Sequence, residues 1–170
     1  MSLKKAAAAK RSPGRKRSGP SPEAQLYAFL EKYSPDIADQ ARQALRRMRA
    51  RLPGAVELVY DNYNALAIGF GPSERTSEAI FSIALFPRWV SLFFLLDGAR
   101  LRDPEGYLEG SGNQTRHIKL RNPGMLDDPA VFNLIAQALE LAPIAIDSSQ
   151  PGRLIIQSVS ARQRPRRPAA

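Results

Sequence analysis

Three observations predict an α+β fold with a mainly antiparallel sheet of about five strands and helices packed on one face. Two Ser-Pro signals, at Ser21-Pro22 and Ser34-Pro35, each open a stretch of helical periodicity. The period then switches from helical to alternating for most of residues 55–121. One further helical stretch, opened by Asp128-Pro129, separates that block from a last alternating run.

Each element has a local reason. Ser21 can accept the free amide hydrogens of a helix start, and Pro22 suits the first helical position. Leu26, Tyr27, Phe29 and Leu30 give that helix an apolar side. The second helix should run to about Arg51, with Ile37, Ala38, Ala41, Ala44, Leu45 and Met48 as one stripe at helical spacing. Arg42, Arg46, Arg47, Arg49 and Arg51 lie mostly off the stripe, the last ones at the negative end of the helix dipole, and Pro53-Gly54 stops it. Residues 55–60, 65–70, 79–86 and 89–96 then alternate as strands. Pro87-Arg88 is too short for anything but a hairpin turn between the last two. Both faces of that hairpin are apolar, so it sits centrally in the sheet. Residues 97–112 read as a loop, 115–121 as a further strand, and Val131, Leu134, Ile135, Ala138 and Leu139 as the stripe of the last helix. Residues 154–159 are a final strand candidate.

The chain has 170 residues, which suits one domain with tails. It has no Cys, which excludes disulfide scaffolds, thiol nucleophiles and thiolate zinc sites. One His excludes two-histidine metal motifs. The net charge of +9 is uneven: seven Lys and Arg lie in residues 1–22 and five Arg in residues 153–170, with no acid in either. Residues 23–152 hold all 16 acids against the remaining 13 cations and are mildly acidic. Residues 1–20 and 161–170 are therefore expected to be disordered basic tails flanking a domain at 21–160. Lys10, Arg11, Arg15, Lys16 and Arg17 resemble the arms that touch nucleic-acid backbones weakly and without sequence preference; a solubilising tail explains them equally. No apolar stretch reaches the roughly 18 residues of a membrane span. No signal peptide is readable, so the expectation is a cytoplasmic protein with no membrane partner.

The candidate site lies on the sheet. On an alternating strand His117, Lys119 and Arg121 share a face, a donor set that can hold an anion, while Arg116, Ile118 and Leu120 face the other way. The loop 110–113, ending at Asn113, could add backbone amides; a solvated polar face beside a loop is the plainer account. Tyr60 and Tyr63 either line a pocket mouth or simply flank the turn Asp61-Asn62. Trp89 shares a strand face with Ser91, Phe93 and Leu95, a face that is core, pocket or contact with a second subunit. Together Tyr60, Tyr63, Trp89, Asn113, Arg116, His117 and Lys119 make a candidate site for a small anionic ligand or a protein. No nucleotide fingerprint, Gly-x-Ser-x-Gly elbow or catalytic constellation is present, and no cofactor is implied.

Glu57 and Tyr60 after two helices, the hairpin at 80–96, and then Gly98, Leu101, Asp103-Pro104, Leu108, Gly110, Gly112 and Arg116-His117-Ile118 resemble the YdhG-like family, a bacterial family of unknown function. The resemblance covers about residues 22–141. It departs at Asn113, where members often carry Lys, and after Tyr60, where many have Pro. It implies a compact α+β fold with helices against an antiparallel sheet, and a non-enzymatic module. Since one member has been proposed as a frataxin-like iron chaperone, it also implies iron delivery as an alternative. Asp103, Glu105 and Glu109 would then be the candidate ligands, with Arg100 and Arg102 competing for them.

Overall fold

The computed structural model describes residues 19–169. Helix α1 (Pro22–Glu31) starts where the Ser21 hydroxyl accepts the Ala24 N–H at 3.2 Å, and α2 (Pro35–Arg51) follows one turn later. The alternating block forms β1 (Val56–Asp61), β2 (Leu66–Gly71), β3 (Phe81–Leu85), β4 (Val90–Phe94) and β5 (Arg116–Leu120). Helix α3 (Pro129–Leu141) is capped by Asp128, whose carboxylate accepts the Ala130 N–H at 2.9 Å. Strand β6 (Arg153–Val159) follows. Gly54, which ends α2, takes φ +84, and a side chain there would lie 2.0 Å from the Asp147 carbonyl oxygen, so glycine is required on both counts.

The fold is α+β, with a mixed six-stranded sheet in the order β5-β4-β3-β2-β1-β6. Neighbours are antiparallel except β1 and β6, which run parallel. The sixth strand goes beyond the expected five because α3 carries the chain back from the β5 edge to the far side of β1. Register assigns every side chain a face. One face carries the row Val59, Ile68, Ile83, Leu92, Ile118 and, beside it, Asp61, Leu66, Leu85, Val90, Leu120. Its apolar members are buried in one cluster with Leu26 and Leu30 of α1, the stripe of α2, and Val131, Leu134, Ile135 and Ala138 of α3. Each such side chain contributes roughly 1.5–3 kcal/mol by leaving water. The opposite face carries Tyr60, Ala67, Ala84, Ser91, Lys119 and Leu58, Gly69, Ser82, Phe93, His117. Among the described residues no helix is long and apolar enough to cross a membrane.

The C-terminal end corrects the expectation of a loose basic tail from residue 161. Ser160 donates its N–H to the Asp61 carbonyl at 2.8 Å, and Arg164 its N–H to the Tyr63 carbonyl at 2.9 Å. The Arg166 side chain is 4% exposed, with Nη2 2.8 Å from Asp61 Oδ1, and it also donates to the Asn62 carbonyl. Arg167 donates to the Glu31 and Lys32 carbonyls at the end of α1. Composition shows cations and prolines there. It does not show that Asp61, facing the core from β1, needs a counter-charge, because an unpaired buried carboxylate costs several kcal/mol. The basic N-terminal residues, with Lys10, Arg11, Arg15, Lys16 and Arg17, lie outside the described residues.

Candidate functional site

The β3–β4 hairpin and the edge strand β5 build the site. Phe86 donates its N–H to the Trp89 carbonyl at 2.9 Å, closing the Pro87-Arg88 turn with Arg88 exposed at its tip. Trp89 stacks on Phe86 with ring centroids 5.0 Å apart. Across the next pair, His117 stacks on Phe93 at 5.1 Å, and its Nε2 lies 3.2 Å from Glu109 Oε2. Lys119 Nζ sits 4.4 Å from the Trp89 ring centroid, a cation–π contact that holds the ammonium at the side of the indole.

The loop before β5 supplies the other wall. Both Asp103 carboxylate oxygens accept main-chain hydrogens, from Tyr107 at 3.1 Å and Leu108 at 2.8 Å, and Gly106 takes φ +69. The chain thereby turns tightly and meets β5 only once, where Glu109 and His117 exchange main-chain hydrogen bonds of 2.8 and 3.0 Å. Tyr107 donates its hydroxyl to Asp128 at 3.0 Å; that bond and the carboxylate charge hold its pKa above the ordinary tyrosine value. Between this turn and β5 opens a cleft of about 460 Å³, whose lining includes Arg88, Trp89, Tyr107, Lys119, Arg121 and Met125, and also Glu109, whose carboxylate is engaged with His117. Arg88, Lys119 and Arg121 have no carboxylate partner among the described residues.

The structure brings together only part of the residue set read from the sequence. Trp89 and Lys119 touch, and His117 stands on the same face one position along β5. Tyr60 shares that face but lies four strands away in the same row, about 19 Å at the usual strand spacing, so it cannot share a small ligand with Lys119. Its hydroxyl is bonded to Thr76. Tyr63 is exposed beyond the end of β1, its ring 5.6 Å from the Arg164 guanidinium. Asn113 is exposed in the loop before β5, at the opposite end of the strand from Arg121. Arg116 points to the other face and donates to the Gly112 and Thr115 carbonyls, so it holds its own loop. The acids named for iron do not converge: Asp103 is engaged by its turn, Glu109 meets His117, Glu105 is exposed, and no three His, Asp or Glu gather among the described residues. Tyr107, Met125 and Arg88 were missed in the sequence. Arg88 is adjacent to Trp89 in a turn, which was a usable signal. Tyr107 and Met125 reach the cleft only through the loop's path.

A second cleft, of about 380 Å³, lies near the end of α2 and includes Glu23, Arg49, Glu57 and Arg153. Arg49 grips Glu57 with Nε 3.0 Å from Oε2 and Nη2 2.9 Å from Oε1, and also reaches Glu23 at 3.1 Å. Burial pushes the Glu57 carboxyl above the ordinary range, and Arg49 only partly opposes it. With its charges mutually satisfied, this cleft ties α1, α2 and β1 together. Comparison of the chain with protein-family models, curated proteins and solved structures finds no match.

Proposed function

We propose that this chain is a non-enzymatic binding module of the YdhG-like kind whose cleft beside β5 takes an anionic ligand. One observation carries the reading. Three cations, Arg88, Lys119 and Arg121, border a cleft of about 460 Å³ beside an aromatic ring and have no carboxylate partner among the described residues. Arg47, Arg49, Arg51, Arg153 and Arg166 each meet an acid, whereas Arg42, Arg46, Arg75 and Arg102 do not among the described residues, so what marks Arg88, Lys119 and Arg121 is that they gather around one cleft beside Trp89. Guanidinium and ammonium groups left unpaired around a concavity are suited to carboxylate or phosphate oxygens.

Trp89 is the only tryptophan, so its fluorescence reports the cleft directly. Titration of the full chain with inorganic phosphate at low ionic strength is expected to change that fluorescence saturably. Raising the salt should weaken the binding, because the cations are exposed and screened. Lys119→Met should weaken it about ten- to a hundredfold, the loss of one charge-assisted hydrogen bond worth roughly 1.5–3 kcal/mol. A flat titration, or equal binding by Lys119→Met, overturns the reading.

A further inference from the structure

The cleft leaves main-chain groups open as well as charges. His117 gives both its N–H and its carbonyl to Glu109, so on β5 the odd-numbered residues direct these groups outward while the even-numbered ones bond β4. Lys119, two residues on, directs its N–H and carbonyl the same way, and neither meets a main-chain partner among the described residues. At Arg121 the outward N–H is already engaged by Met125 Sδ at 3.1 Å. The gap at Lys119 lies beside the 103–108 turn, which closes on itself through the Asp103 carboxylate instead of continuing the pairing begun at Glu109. The cleft's two walls also differ: Lys119 stands on the open face with Arg121 just beyond the end of β5, while Met125, partly buried against the core, provides an apolar wall.

We propose that the cleft is filled by an extended peptide of alternating acidic and apolar residues that adds to β5 as a strand at Lys119. The proposal rests on the anion-binding reading above. Such a strand offers a carbonyl to the Lys119 N–H and an N–H to the Lys119 carbonyl. Its side chains alternate between faces with a period of two. Acidic residues on one side then meet Lys119 and Arg121, and apolar residues on the other meet Met125. A free phosphate would satisfy the cations and leave both the main-chain pair and the apolar wall unused.

The test uses the full chain and the acetylated, amidated peptide Val-Glu-Val-Glu-Val-Glu-Val, followed by Trp89 fluorescence and by amide hydrogen exchange at Lys119. The peptide is expected to bind saturably and to slow Lys119 exchange at least tenfold. The same peptide N-methylated on the amides of one edge keeps its charges and should bind at least tenfold more weakly. Arg121→Glu, an exposed position, should retain the circular dichroism spectrum and lose at least tenfold in peptide affinity. Full affinity of the N-methylated peptide, unslowed Lys119 exchange at saturation, or undiminished binding by Arg121→Glu overturns strand addition. Binding of phosphate without binding of the peptide overturns the peptide while the anion-binding reading stands. Response to neither removes both.

Discussion

At the β1 end of the sheet, Arg166 is 4% exposed and bonded to Asp61, Asn62 and Tyr63; at the β5 end, Lys119 and Arg121 are exposed and form no ion pair with a carboxylate among the described residues. The same side-chain chemistry sits in two settings on one sheet, and burial decides whether the chain itself must supply a partner. Register puts Asp61 on the helix-covered face, where its charge is 1% exposed and must be met from within the chain. On β5 register puts Lys119 on the open face, where it is exposed and solvent can meet its charge.

The sharpest way to break this contrast is to remove the buried cation. Arg166→Met leaves Asp61 with Lys32, 2.9 Å away and 43% exposed, as its remaining charged partner. The expected loss is about 3 kcal/mol, the low end for breaking a buried pair. That corresponds to a fall in Tm of roughly 6–12 °C, read by calorimetry. Adding Asp61→Asn should recover part of it, because the stranded charge is then gone. A fall of a degree or two would mean that Lys32 alone compensates Asp61.

A smaller effect is expected at Tyr33, which lies against Arg166 with its ring 5.7 Å from the guanidinium. Its buried hydroxyl donates to the Leu85 carbonyl and accepts the Leu66 N–H, both at 3.1 Å. Tyr33→Phe strands both main-chain groups and should cost about 1–3 kcal/mol in a denaturant titration. Unchanged stability would mean that those groups find water, and that the β1 end is wetter than its burial implies.

Glu57 separates burial from pairing through pH. Its pKa is raised in the folded protein, chiefly by burial against the opposing pull of Arg49. Below the ordinary glutamate value of about 4.3 the folded and unfolded states both hold the proton. As pH rises the unfolded chain releases it first, so folding weakens until the pH passes the folded value. Glu57→Gln cannot ionise. Its Tm relative to the parent should therefore move upward as pH rises above about 4.3, whatever the fixed cost of loosening Arg49. A relative Tm that falls with pH would show that pairing outweighs burial.

Much of this architecture was legible because local rules set it. The Ser-Pro and Asp-Pro starts, the α2 stripe and the Pro87-Arg88 turn each depend on residues within a few positions. The shared face of His117 and Lys119 was legible for the same reason: alternation alone places them together. What escaped depends on pairs far apart in the chain. Asp61 and Arg166 are 105 residues apart, and Gln163 donates to the Asp61 carbonyl across 102. The inclusion of Tyr60 in the site failed for a related reason. Its face was inferable, but strand order, which puts β2 and β3 between it and β4, was not.

The smallest effect on stability is expected where the effect on binding is largest. Lys119→Met applies at the β5 end the substitution that Arg166→Met applies at the β1 end. The methionine stem can still lie along Trp89, so only an exposed charge and its cation–π contact are lost, worth roughly 0.5–1 kcal/mol at most. No acid is stranded, because none among the described residues is paired with Lys119. Tm should therefore move by no more than about 2–4 °C. The salt dependence of anion binding should flatten in the same variant, because one fewer cation is available for added salt to screen. If Lys119→Met instead destabilised the fold as much as Arg166→Met, the cations at both ends would be structural, and the division between them would fail.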